Sequence, residues 1–199
     1  MFAVAITILV FNLLPISTGP LSTHLLLKNW PAYFAYAVSF LTIGIMWLNH
    51  HGLFGRITKV DRPLLLLNLF LLMGIVAIPF PTALVAAHLN DSSEGEVAAM
   101  TYGLVMIAIS VGYGAIWSYV VAHQRALNAR GDMAIRRAST ARFMAGGAGY
   151  IAAVLVALVS PVASVIIYGL LAVYYMFEHL GVPTDDDGED GPGRVTERS

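Results

Sequence analysis

The residues able to do chemistry in this chain are few: six histidines, no cysteine, and a scatter of amides and hydroxyls in apolar surroundings. Without cysteine there is no disulfide, thiolate metal site or thiol nucleophile. The adjacent pair His50-His51 would hold a metal only if both rings turned to one side. Neighbours on a helix point about 100° apart, so the pair reads as interfacial side chains satisfied by hydrogen bonds, with no metal or other cofactor. There is no H-E-x-x-H motif and no convincing nucleophile–base pair, which argues against an enzyme.

A second set of usable side chains opens the chain. Residues 1–15, MFAVAITILVFNLLP, are apolar except for Thr7 and Asn12 and stop at Pro15. On helical spacing Val4, Ile8 and Phe11 share one face, with Thr7 beside them. Periodicity alone describes a lipid- or protein-packed helix whose threonine bonds back to the carbonyl four residues earlier. The residues before Pro15 make roughly 21 Å of helix against a bilayer core of about 30 Å, so this helix is either a signal-like or interfacial segment or one whose beginning is missing. No Lys or Arg precedes it, Lys28 being the first, which weakens a signal-peptide reading. Asn12 and Asn68 are amides that need partners in an apolar setting, and gluing helices together is the plainest role for both.

The elements that position these residues follow from composition. The chain is 58% hydrophobic and 12% charged, with a mean hydropathy of +0.74. Soluble domains carry about 25% charged residues. The pattern predicts an all-α, polytopic membrane protein with six transmembrane helices in one domain, residues 1–180. The spans fall at about 1–14, 32–48, 64–88, 97–122, 143–159 and 161–177. A Gly/Pro/Ser/Thr-punctuated connection follows the first span. Asn49-His50-His51 reads as a polar turn after the second, leading to Arg56, Lys59, Asp61 and Arg62. Pro79-Phe80-Pro81 should kink the third span or end it early. Asp91, Glu94 and Glu96 read as an acidic loop, and Ser160-Pro161 as a tight hairpin. Ala145, Gly149, Ala153 and Ala157 form a stripe of small residues that lets another helix come close. Residues 181–199 are acidic and Gly-rich and read as a disordered tail.

Basic residues set the orientation. The 2–3 connection and the 4–5 connection, with Arg125, Arg130, Arg136, Arg137 and Arg142, hold most of them. The positive-inside rule then puts both termini in the cytoplasm of a multi-pass cell-membrane protein. No Asp, Glu, Lys or Arg lies inside a span, which disfavours a carboxylate-based antiporter and an intramembrane hydrolase. Lacking an inverted repeat and a charged midplane site, the chain also makes a poor small-solute transporter.

The stretch FAVAITILVFNLLP, followed by WLNHHGLFGRITKVDRPLLLLNLFLLMGIVAIPFPTALVA, resembles the prokaryotic branch of the transmembrane protein 175 family. These are bacterial relatives of the endosomal and lysosomal potassium channel. N-H-H-x-x-x-F, L-N-L and P-F-P-T in this order carry the likeness. It is close over spans one to three and confined to topology and general character beyond them. The resemblance implies a homotetramer in the lipid bilayer, assembled around the first helix, passing potassium ions, without a T-V-G-Y-G loop and without nucleic acid as a partner. It puts the hydrophobic constriction at Val4, further rings at Ile8 and Phe11, a contribution to potassium preference at Thr7, and the outer mouth near Asn12. It also implies an inter-helix polar network of Asn49, His50, His51 and Asn68. The family's R-x-x-x-F-S-D element lies just upstream of the F-A-x-A-I-T segment, and this chain is expected to begin after it. The alternative is a structural or accessory membrane protein of the same fold that does not conduct because its first helix is incomplete.

Overall fold

Proline, glycine and short polar runs divide the apolar sequence into helices. The computed structural model describes residues 1–13, 23–55, 57, 59–123 and 146–180. Helix α1 (Phe2–Leu9) tightens into a 3-10 turn, Val10–Leu13. A short α2 (Thr23–Lys28) precedes the long α3 (Trp30–Phe54). Then come α4 (Arg62–Ala77), α5 (Pro79–His88) and α6 (Ser92–Ala122). Helices α7 (Gly146–Ala157) and α8 (Pro161–Leu180) form the last hairpin. Three helical stretches are long and apolar enough to cross a membrane: Trp30–Phe54, Arg62–His88 and Ser93–Ala122. Phe2–Leu13, Gly146–Ala157 and Pro161–Met176 are shorter apolar helices at the other expected span positions. Residues 14–22 of the first connection, residues 124–145 with the arginine-rich 4–5 connection and Ala145, Arg56, and the 181–199 tail lie outside the described residues.

Two polar stretches read as loops are helical. Asn49-His50-His51 continues α3 to Phe54. The helix survives its polar end because each ring stacks on an aromatic one turn away, His51 on Trp47 and His50 on Phe54. Glu94 and Glu96 likewise lie inside α6, which starts just after Asp91. Carboxylates in a first helical turn meet the positive end of the macrodipole, so acidity there favours the helix over a loop.

The break in the third apolar run falls where its prolines require. Pro79 and Pro81 have no N–H, so the carbonyls four residues before them lose their regular donors. The Ile78 N–H turns to Ile75 O at 3.2 Å, and the Thr82 hydroxyl donates to Ile78 O at 2.8 Å. The start of α4 is set by Asp61, whose Oδ1 accepts from the Leu64 N–H at 3.1 Å.

Helix α3 packs against α5 and α8, and α6 against α4, α5 and α8; α1 lies across α3, α4 and α5. Ile43, Leu64, Leu71, Ile75, Met106, Ile109 and Ile116 fill the interior. Lipid tails are as apolar as these side chains, so burial alone discriminates weakly between helix and lipid neighbours, and packing with interhelical hydrogen bonds does more. Ser39 on α3 bonds Thr82 on α5 at 2.8 Å and Tyr102 on α6 at 3.1 Å. Tyr113 donates to Met46 O at 2.6 Å, Tyr168 to Ala99 O at 3.1 Å, and Ser164 to Ala153 O at 2.7 Å. Among the described residues no buried side-chain nitrogen or oxygen lacks a hydrogen-bond partner. The small-residue stripe faces α8: a Cβ on Gly149 would stand 3.0 Å from Leu171 Cδ2, and Ala153 and Ala157 are buried.

Candidate functional site

Helix α1 has two unlike faces. Ala5 and Leu9 are 0% exposed, set into the surface that α3, α4 and α5 offer. Across the helix, Val4 is 53%, Ile8 40% and Phe11 62% exposed, with Thr7 open beside them. The chain therefore buries one edge of its first helix and leaves the other, almost wholly apolar, bare. The Thr7 hydroxyl donates to Val4 O at 2.9 Å, a carbonyl three residues back and not the expected four. Its proton is thereby engaged, and the oxygen keeps lone pairs available on the exposed side.

Asn12 closes this helix differently. It stands half-buried in the 3-10 turn, and its Nδ2 donates to Pro79 O, at the helix break, at 3.1 Å. A carbonyl only accepts, so the amide must present its nitrogen to it.

At the other end of α1, the Phe2 ring meets His50 edge-on, with centroids 5.3 Å apart. His50 Nε2 lies 2.8 Å from Asn68 Oδ1 on α4. Of Asn49, His50, His51 and Asn68, the structure joins His50 and Asn68. His51 is exposed against Trp47, and among the described residues no hydrogen bond ties half-buried Asn49 to the pair.

Two groupings were not legible in the sequence. Asp61 accepts from the Tyr119 hydroxyl as well as capping α4, and His123 stacks on Tyr119 with centroids 4.3 Å apart. The Tyr119 hydrogen bond, with the Leu64 N–H next, holds the Asp61 carboxyl below its ordinary value of 3.8. At the opposite end of the bundle, His88 Nδ1 lies 2.7 Å from Glu94 and 3.8 Å from Asp91. Histidine at the end of α5 and carboxylates at the start of α6 are the placements that helix dipoles favour. Phe2 and Pro79 are the remaining partners that sequence reasoning missed; no local spacing pairs them with His50 or Asn12.

The whole arrangement has counterparts. Residues 1–79 match the family model described as endosomal/lysosomal potassium channel TMEM175. A protein of Streptomyces collinus named as a potassium channel is 42% identical over 185 residues, covering 92% of this chain and 90% of that protein. One of Chamaesiphon minutus, also named as a potassium channel, is 32% identical over 180 residues, covering 87% of each. The solved structure of a lysosomal potassium-selective channel TMEM175 homolog from Chamaesiphon minutus superposes with a TM-score of 0.74 at 30% identity, over 89% of this chain and 91% of that one. With the first of these relatives matched nearly end to end, the chain belongs to the TMEM175 family.

Proposed function

We propose that this protein is a potassium-permeable channel whose conduction path is lined by the bare face of α1, one helix from each subunit of a homotetramer. The observation that carries this reading is the division of α1 into a buried edge, Ala5 and Leu9, and an open one, Val4, Thr7, Ile8 and Phe11. A helix seated against three others still has an apolar stripe to cover, and a ring of identical stripes around an axis covers it. Within that ring Val4 forms the constriction, with Ile8 and Phe11 as further rings towards the far end. An ion entering a ring of alkyl side chains loses hydration that nothing replaces, so such a ring gates by dewetting. Thr7, its proton held by Val4 O, offers the ion an oxygen within this apolar lining and contributes to the preference for potassium.

The basic connections are then cytoplasmic, and the channel sits in the cell membrane as a six-span subunit with both termini inside. The names of the relatives support potassium as the permeant ion. The test is ion flux into proteoliposomes holding the full chain, with potassium compared to sodium and with empty vesicles as control. Potassium entry exceeding sodium entry supports the reading, and Val4→Asn, by wetting the constriction, should raise it. Flux no greater than in empty vesicles overturns the channel reading in favour of a non-conducting membrane protein.

A further inference from the structure

The bond between Asn12 and Pro79 joins two irregularities. On one side is the 3-10 turn Val10–Leu13, where α1 winds to about three residues per turn and its side chains rotate relative to the α-helical course below. On the other is the proline break between α4 and α5. The turn packs against α3 and α5, and the amide of Asn12 reaches inward from it to Pro79 O at 3.1 Å. Its immediate neighbour Phe11 faces outward, 62% exposed. Two consecutive residues thus point to opposite sides, one tethered to the bundle and the other on the bare face.

We propose that Asn12 is a positioning residue of the conduction path: by donating to Pro79 O it fixes the rotation of the outer turn of α1, and with it the setting of the Phe11 ring. This rests on the pore reading above. The assignment departs from a role for Asn12 as a lining group of the outer mouth. The amide nitrogen is engaged within the subunit, to a carbonyl that has no other kind of bond to offer. In apolar surroundings that bond is costly to give up, because neither lipid nor the nearby alkyl groups supply a substitute acceptor. The tether also links the lining to the bend of the α4–α5 stretch, so a change of that bend would turn Phe11.

The two roles separate by chemistry. Asn12→Asp is nearly isosteric, yet a carboxylate only accepts and faces a carbonyl that only accepts. Protonated, the carboxyl recovers a donor. Full-length Asn12→Asp would be reconstituted into planar bilayers at acidic pH, where the carboxyl is protonated and the fold is least disturbed. Mean current per channel is then read relative to wild type as pH is raised from about 3.5 to about 7.5, a range that starts below the ordinary Asp value of about 3.9. The expected result is current near wild type at the acidic end, falling about three- to tenfold at the neutral end, the factor by which loss of one hydrogen bond depopulates an arrangement. Asn12→Leu should be reduced at every pH, and Asn12→Gln, which keeps the donor, should show no pH dependence beyond wild type.

A ring of carboxylates lining the mouth would do the reverse, raising potassium current at neutral pH and most at low ionic strength. That result overturns the proposal, as does current indifferent to Asn12→Asp and Asn12→Leu alike. A silent wild type under the same conditions overturns the pore reading and this proposal with it. A conducting wild type with indifferent variants overturns the proposal alone.

Discussion

His50 and Asn68 are joined across α3 and α4 by a 2.8 Å hydrogen bond, and the ring of Phe2 closes edge-on over the same histidine. Because an amide oxygen only accepts, His50 carries its proton on Nε2. The bond ties α3 to α4, two of the helices on which α1 rests.

His50→Phe keeps the stack with Phe54 and the contact with Phe2 but leaves the Asn68 amide without its partner. We expect a loss of about 0.6–1.7 kcal/mol, the range for single interhelical hydrogen bonds in membrane proteins. A double-mutant cycle with Asn68→Leu, followed by unfolding in detergent, should give a coupling of that sign. Additive losses would show that the two side chains do not interact.

The Asp61 contacts predict a pH dependence of definite sign. The Tyr119 hydroxyl and the Leu64 N–H lower its pKa in the folded state below 3.8. Folding then favours the ionised form, so this stabilisation is present above the unfolded value and lost as pH falls through the lowered one. Thermal midpoints in detergent should drop between about pH 5 and pH 3. Tyr119→Phe should make that drop shallower; a profile identical to wild type would remove the hydrogen bond from the account.

Gly103 permits a close approach that no other residue allows. A Cβ there would collide with the Tyr168 hydroxyl and a Val154 methyl. That hydroxyl is also the donor to Ala99 O, which fixes the ring in place. Gly103→Ala should cost about 1–3 kcal/mol by overpacking, visible as a lowered unfolding midpoint. A neutral result would mean that α6, α7 and α8 pack more loosely here than the structure has them.

Much of this architecture was legible because each apolar run carries its own punctuation. Pro79 and Pro81 announced the break between α4 and α5, and Ser160-Pro161 the turn into α8. The face shared by Val4, Thr7, Ile8 and Phe11 follows from helical spacing, and exposure adds which side of α1 it is. Polar runs misled where they sit inside helices. Asn49-His50-His51 looks like a turn until His50 has Asn68 to bond, and Glu94 looks like a loop residue until it meets a helix start. The inward bond of Asn12 was illegible, since its acceptor is a backbone carbonyl 67 residues away.

The most direct test of α1 as the lining uses the absence of native cysteine. Cysteine placed singly at Ala5, Ile8, Leu9 and Phe11 would be exposed to a charged, water-soluble thiol reagent while potassium current is recorded. The account predicts that current changes after modification of Ile8→Cys and Phe11→Cys, and that Ala5→Cys and Leu9→Cys, facing the bundle, are spared. Modification of current through Ala5→Cys and Leu9→Cys, with Ile8→Cys and Phe11→Cys unaffected, would contradict it and put the conduction path elsewhere.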